Sequence, residues 1–510
     1  MDSTLTAENT EKAQRTQRGI GINYSSVSSV PSLRPLWFTS NIIISALLLF
    51  MLLTVSLPGR SQYISEVLEY KPAPGQLINT VPWGVPSSAN TITGGINGSL
   101  SLGAFGGYVV FEFDGPVENH PDNPYGVDFT IFGNAYQDWS EPGIVSVMKD
   151  VNGNGLPDDT WYELAGSDYW FSSTAKDYEV TYTNPGASGE DIPWADNKGN
   201  AGVVYTISNY TQPYYPQRDS FPGIDPDSYL LAGTRIQPCI DSSEVIIRSL
   251  RRSFGYADNT SKGPGIHTIP DNPYTNELEN SGGDAFDISW AVDPGGNYID
   301  LDRIHFVKVH NGVLANAGYL GELSTEIRGA VDVPPDASVN GQMQTVVIRD
   351  LPPVIKTSSF QMEVLAFDSG RLNHDAEILW MTSKPEASVS DDNLLNVTES
   401  GELELTAWLA GDPAIADTVS VLVELSSSAD EPGNETVRAS IFPNPSRNYI
   451  SIRDVEECVV MILDPSGQVL YRKENYSRNE IIDVSSFPVG IYFVRIITSS
   501  DYSTLKLARI

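Results

Sequence analysis

Between Lys149 and Ser167 the chain reads KDVNGNGLPDDTWYELAGS, and Asp150, Asn152, Asn154, Asp158 and Asp159 place five Asp/Asn side chains within ten residues. Oxygen ligands at every second position around a glycine turn are what a hard cation such as calcium requires. Asp-x-Asn-x-Asn-Gly reproduces the first half of such a loop, with Leu156 offering its backbone carbonyl. Twelve residues in, where a helix-loop-helix calcium site carries a bidentate Glu, this chain has Trp161. Asp158, Asp159 or Glu163 must then supply the second half, which disfavours the helical version and leaves a loop between strands. A structural calcium held by Asp150, Asn152, Asn154, Leu156, Asp158 and Asp159 fits this spacing, and so does an Asx-rich turn without metal.

A second acidic stretch, SGGDAFDISW from Ser281 to Trp290, reads as a turn entering a strand, with Asp284 and Asp287 either capping the turn, pairing with Arg303, or lining a pocket rim. Trp139, Trp161, Trp170, Trp194 and Trp290 lie near loops, and Tyr214-Tyr215 sit in a Pro-rich loop. Aromatic rings on the loops of a β-sandwich suit stacking on sugars or flat macrocycles. These rings and Asp284 are the expected ligand contacts, with core packing the alternative for part of the set.

Catalytic motifs are missing. There is no Gly-x-Ser-x-Gly, no His-Glu-x-x-His and no phosphate-binding Gly-rich loop. His120, His267, His305, His310 and His374 show no ligand spacing, and the odd separation of His305 and His310 puts them on opposite faces of a strand. The expectation is a binding protein rather than an enzyme. A glycosidase needs only two carboxylates, so a secreted hydrolase is the rival, and a convergent carboxylate pair in one cleft is what would favour it.

The elements that must position these residues are strands. Tyr108–Phe113, Val127–Phe132, Ile144–Met148, Tyr178–Tyr182, Val245–Ile247, Phe286–Val292, Ile304–Val309 and Thr325–Val333 are short, mostly alternating runs with turn residues between them. Sustained helical periodicity is absent, so the fold class is all-β, with a β-sandwich or jelly roll for the ligand domain. Ser359–Phe367, Ala376–Trp380, Glu402–Trp408 and Thr418–Glu424 outline a second unit of immunoglobulin-like spacing. The expected division is a leader and signal peptide (1–61), the binding domain (62–340), an immunoglobulin-like spacer (341–425), a polar linker (426–439) and a small C-terminal β-sandwich (440–510).

Bulk properties agree. A chain of 510 residues exceeds one core. Its net charge of −34 repels phosphate backbones and excludes nucleic acid as a partner. That charge lies outside the C-terminal segment, where eight basic residues balance eight acidic ones between Ser440 and Ile510. The two cysteines, Cys239 and Cys458, fall in different domains, which makes a bridge between them improbable, and no CxxC supports zinc. Arg34, the apolar run Leu36–Leu57 and Pro58-Gly59-Arg60-Ser61 form a secretory signal pattern, with a membrane-spanning helix as the alternative.

The C-terminal segment carries Phe442-Pro443-Asn444-Pro445, the turn Asp464-Pro465-Ser466-Gly467, Gly490-Ile491-Tyr492 and a final strand with Lys506. In that order these motifs closely resemble the C-terminal sorting domain of type IX secretion substrates. The resemblance implies export to the outer cell surface or beyond, the secretion machinery as partner, and Pro443, Pro445, Gly467, Gly490, Tyr492 and Lys506 as carriers of the signal. Glu66–Gln76, Phe132–Ala135, Glu141–Gly143, the Asp150 stretch, Phe254–Asp258 and Leu320–Glu326 resemble a family of bacterial cell-surface proteins, some of which are similar to components of corrinoid uptake systems. That likeness implies capture of a small molecule, corrinoid first and glycan next, for an outer-membrane uptake receptor. A structural surface-layer role is the third reading.

Overall fold

The structure is a computed structural model. It describes residues 61–510 apart from 136–137, 242–246, 260–282, 319–320, 339–342, 353, 426–438, 454, 456–457, 465–468, 478–479 and 498–501. The expected leader, nearly all of the linker, most of the Val245–Ile247 strand, Ser281-Gly282 and Gly467 lie outside the described residues.

Sixteen strands frame the region of interest. In chain order they begin with β1 (Ile64–Lys71), β2 (Tyr108–Glu118), β3 (Phe129–Phe132), β4 (Gly143–Met148), β5 (Trp161–Leu164) and β6 (Ala175–Thr183). Next come β7 (Ile192–Asp196), β8 (Ala201–Val204), β9 (Ser228–Arg235), β10 (Gly283–Phe286), β11 (Ala291–Val292) and β12 (Arg303–Asn311). The last four are β13 (Gly329–Asp332), β14 (Gln344–Arg349), β15 (Glu363–Asp368) and β16 (Arg371–Leu372).

A six-stranded antiparallel sheet, ordered β1-β2-β12-β4-β5-β11, faces a three-stranded sheet, β10-β3-β13. Alternation decides what lies between them. Val109, Phe111, Val145, Val147, Leu164, Val307 and Val309 point inward from the large sheet and meet Phe129, Ile131, Phe286 and Ala330. Phe129 stacks on Phe286 at 5.3 Å. The other face of the large sheet carries Lys308, His310, Ser146 and Glu163, and against it lies a four-stranded sheet, β9-β6-β7-β8, with its own aromatic core of Phe105, Tyr178, Tyr182, Tyr214, Tyr215 and Tyr229. All-β sandwich architecture is therefore what the alternating runs encode.

The stretch Phe286–Val292 is not one strand. β10 ends at Phe286, Asp287 caps a single 3-10 turn (Ile288–Trp290) by accepting from Ser289 N, and β11 follows. Ser359–Phe367 likewise breaks at Met362.

β14, β15 and β16 form a sheet whose two faces serve two cores. Met343, Val347 and Phe367 join the sandwich core, while Val346, Ile348, Val364 and Ala366 join the core of the following unit. That unit adds a four-stranded and a three-stranded sheet between Val354 and Val423. Across the junction Asp168 takes Arg252 Nη1 at 3.1 Å and Arg349 Nε at 3.4 Å, and Arg349 also reaches Asp417 at 3.7 Å. Burial works against ionising Asp168, yet the two guanidinium groups hold its carboxyl below the usual range.

The last segment is a small sandwich of strands around Ile450, Val460, Ile462, Val494, Ile496 and Leu507. Its opening motif is tied to its closing strand, since Asn444 Nδ2 donates to Lys506 O at 2.7 Å and Asn444 Oδ1 accepts from Ala508 N at 2.9 Å. Pro443 and Pro445 flank that amide, Gly490 opens the partner strand, and buried Tyr492 donates to Pro488 O at 2.6 Å.

Candidate functional site

A cleft of about 370 Å³ opens between the outer face of the large sheet and the four-stranded sheet. Strand register builds its floor. Lys308 pairs with Ser146 and Ser146 with Glu163, so these three residues form one row across β12, β4 and β5. Directly paired residues share a face. The row therefore presents an ammonium, a hydroxyl and a carboxyl in line, with the half-buried Trp161 two residues from Glu163 on the same side.

The opposite wall comes from β6 and β9. Lys176 and Asp177 both line the cleft although they are consecutive, which plain alternation forbids. A bulge explains it. Between Tyr178–Gly233 and Ala175–Arg235 the register slips, and Asp177 takes φ of +51°, left-handed backbone that a non-glycine residue seldom adopts. Lys176 Nζ sits 3.7 Å above the Tyr169 ring, and Lys308 Nζ sits 4.4 Å above Tyr108. Burial lowers both ammonium groups from their ordinary value, against the pull of nearby carboxylates.

Glu163 is held from behind. Thr234 Oγ1 donates to its Oε2, and Thr234 O accepts from His310 Nε2 at 3.1 Å. Burial pushes the Glu163 carboxyl up to about 7 despite the Thr234 hydrogen bond and Lys176. Burial also takes the His310 imidazole down to about 3, which leaves it neutral and fixed as donor to the carbonyl. Gly233 is obligatory at this corner, because a Cβ there would meet the His310 ring at 2.4 Å. Asp293 and the exposed Glu179 complete the acidic lining.

Of the expected ligand contacts, Trp161 lies in this cleft, and the half-buried Trp170 lies beside it, 4.8 Å from Tyr169. The others are elsewhere. Trp290 is fully buried, packed on Phe254 at 5.2 Å, and its Nε1 donates to Ser369 O at 2.8 Å. It is a core residue, as the alternative reading had it. Asp284 is buried too, its Oδ2 accepting from Asn259 N at 3.0 Å, and Arg303 pairs with Asp302 rather than with either acid. Tyr214 and Tyr215 are core rings whose edges floor a second hollow of about 120 Å³. Trp194 covers Gly202, and Trp139 is half-buried beside Ser249. Sequence reasoning missed Ser146, Lys176, Asp177, Thr234, Lys308 and His310. The available signal was the pair Lys176-Asp177, which breaks the alternation ahead of Tyr178-x-Val180-x-Tyr182.

The Asp150 loop is exposed and closed on itself. Asp150 accepts from the N–H groups of Gly153, Asn154 and Gly155, and these hold its carboxyl below the ordinary value, with Gly155 contributing most. Asn152 Nδ2 and Asn154 Nδ2 both donate to Asp158 at 3.0 Å, while Asp159 accepts from Val151 N and Leu156 O accepts from Asp158 N. Asp150, Asn152, Asn154 and Asp158 thus share one turn. Glu163 faces the cleft and takes no part.

The segments that resemble surface proteins converge elsewhere. Asp258 accepts from Asn134 N, Ala135 N and Glu326 N at 2.7 to 2.8 Å, and Glu141 accepts from Ser324 N at 2.8 Å. Carboxylate oxygens of Glu141, Asp258 and Glu326 lie within 4.8 Å of one another. Burial, then mutual repulsion, drives Glu141 and Asp258 well above the carboxylate range, and burial raises Glu326. Such a knot either retains protons or takes a cation.

Comparison with known proteins locates one segment. Residues 440–508 match the model of a secretion system C-terminal sorting domain. No curated protein matches the chain. Among solved structures it is similar to PorZ, described as an essential surface component of the type-IX secretion system of Porphyromonas gingivalis, at 14% identity over 65% of this chain and 43% of that one, with a TM-score of 0.14. It is also similar to domains 1-6 of the surface layer protein SbsC, at 11% identity over 79% of this chain and 62% of that one, with a TM-score of 0.16. The Escherichia coli adhesin FdeC gives 11% identity over 43% of this chain and 80% of that one, with a TM-score of 0.15. The chain spans less than two thirds of PorZ and of SbsC, and scores this low carry no functional argument. The sorting domain does. It marks a type IX secretion substrate that engages that machinery and is delivered to the cell surface or the extracellular space.

Proposed function

We propose that this secreted protein binds carbohydrate at the cell surface or outside it, seating a short stretch of glycan in the cleft between its two sheets. One observation carries the reading. The half-buried Trp161 shares a cleft of about 370 Å³ with the Lys308–Ser146–Glu163 row. Sugars offer an apolar ring face and a rim of hydroxyl groups that both donate and accept, and this lining offers aromatic area beside ammonium, hydroxyl and carboxyl groups. Corrinoid capture, which the surface-protein resemblance implied, finds no comparable support, since the floor is a charged row rather than a broad apolar slot.

Calorimetric titration with a panel of soluble glycans, with cobalamin alongside, tests the reading. At least one glycan should bind, and Trp161→Ala should weaken it about tenfold, the worth of one stacking contact. Heat with cobalamin alone would replace the proposal. For the Asp150 loop we propose a structural calcium. The convergence of Asp150, Asn152, Asn154 and Asp158 on one turn supports it, and the Asn152 and Asn154 side-chain oxygens, which accept from Asn154 N and Leu156 N, keep a second lone pair for an ion.

A further inference from the structure

We propose that the cleft also cleaves the glycan it binds, with Glu163 as general acid and Asp177 as the base that activates water. The inference rests on the carbohydrate reading of the same cleft. A glycosidase needs two carboxyl groups on either side of a sugar. Glu163 stands on the floor, on β5 of the large sheet, and Asp177 stands on the facing wall, on β6 of the four-stranded sheet.

Their surroundings differ as the two roles require. Glu163 is half-buried, oriented by the Thr234 hydroxyl, and kept protonated to about pH 7 by burial. Asp177 is exposed to solvent, and the bulge that turns it into the cleft holds it in left-handed backbone. Strain of that kind at a polar residue persists where the surrounding structure enforces it, and bulges beside active sites re-aim side chains. Plain alternation would have sent either Lys176 or Asp177 away from the ligand.

The step balances as follows. Glu163 gives its proton to the glycosidic oxygen as the C1–O bond breaks. A water held on the Asp177 side loses a proton to that carboxylate and adds its oxygen to C1. One water is consumed, two sugar fragments leave, and solvent exchange returns the proton from Asp177 to Glu163. A step in which one carboxylate activates water while the other protonates the leaving oxygen is the inverting mechanism. Thr234 and His310 are positioning residues, because they act only through Glu163.

Release of reducing ends from xylan, laminarin, soluble starch and mucin glycans by the full chain is the test, run beside titration with the same four. Expected is turnover of at least one, falling on the alkaline side near pH 7. Glu163→Gln and Asp177→Asn should each lower kcat by roughly 10²- to 10⁴-fold, with a far smaller loss of affinity, and melt with the parent. Asn tolerates left-handed backbone, so the second variant keeps its fold. Binding without turnover would overturn hydrolysis and leave the binding proposal standing. Neither heat nor turnover would remove both.

Discussion

Trp290 gives the sharpest separation between a ligand contact and a core residue. Its ring is fully buried against Phe254 and Phe286, and a Cβ on Gly370 would come within 2.2 Å of its Nε1. Truncating a tryptophan in such a place costs about 3–5 kcal/mol, from lost burial and the cavity that remains. Ser369 O, which accepts from Nε1, loses its partner as well. At roughly 2–4 °C per kcal/mol for a domain of this size, Trp290→Ala should lower the melting midpoint by about 6–20 °C. Trp290→Phe keeps most of the apolar volume and should cost far less. Thermal unfolding followed by intrinsic fluorescence and circular dichroism reads both. A change below about 1 kcal/mol in Trp290→Ala would show the ring is not in the core. Loss of glycan binding at unchanged stability would return it to the ligand site.

Other consequences concern charge. Burial raises Glu322 to about 8, Glu163 to about 7 and Asp287 to about 6, so the folded chain keeps protons that the unfolded chain releases above about 4.5. Stability should therefore fall as pH rises from about 5 to 8, at up to 1.4 kcal/mol per pH unit for each group inside its window. Glu322→Gln should flatten the decline; a midpoint that rises toward pH 8 would contradict these assignments. His310 works the other way: its folded imidazole, down to about 3, stays neutral while its unfolded counterpart takes a proton, so below about pH 6 it offsets part of what the three carboxyls gain. Asp168→Asn leaves Arg252 and Arg349 facing each other in the interior and should cost about 3–5 kcal/mol in denaturant unfolding, and a loss under 1 kcal/mol would show the pair is dispensable. Calcium at millimolar concentration should raise the melting midpoint and a chelator should reverse it, with Asp150→Ala abolishing the response. An indifferent midpoint would remove the metal.

Much of the fold is legible because alternation is local. Lys308 and His310 against Val307 and Val309 already declare a polar and an apolar face, and His305 lies apart from His310, its Nδ1 accepting from Asp150 N. The cleft is not legible, because its floor depends on register. Nothing near Ser146 announces that Lys308 and Glu163 flank it, one from 162 residues downstream. Trp290 was open to misreading for the same reason, since Phe254 and Ser369 are distant in sequence. The tail was readable outright, because Pro443, Pro445, Tyr492 and Lys506 sit in short motifs whose order is itself the signal.

One measurement bears most directly on the carbohydrate site. Ser146 lies at the centre of the charged row, so Ser146→Tyr fills the cleft floor while leaving Lys308, Glu163 and Trp161 in place. Titrated with the glycan that the parent binds best, this variant should fold normally and lose affinity by a hundredfold or more. Undiminished affinity would place the ligand somewhere other than between the two sheets.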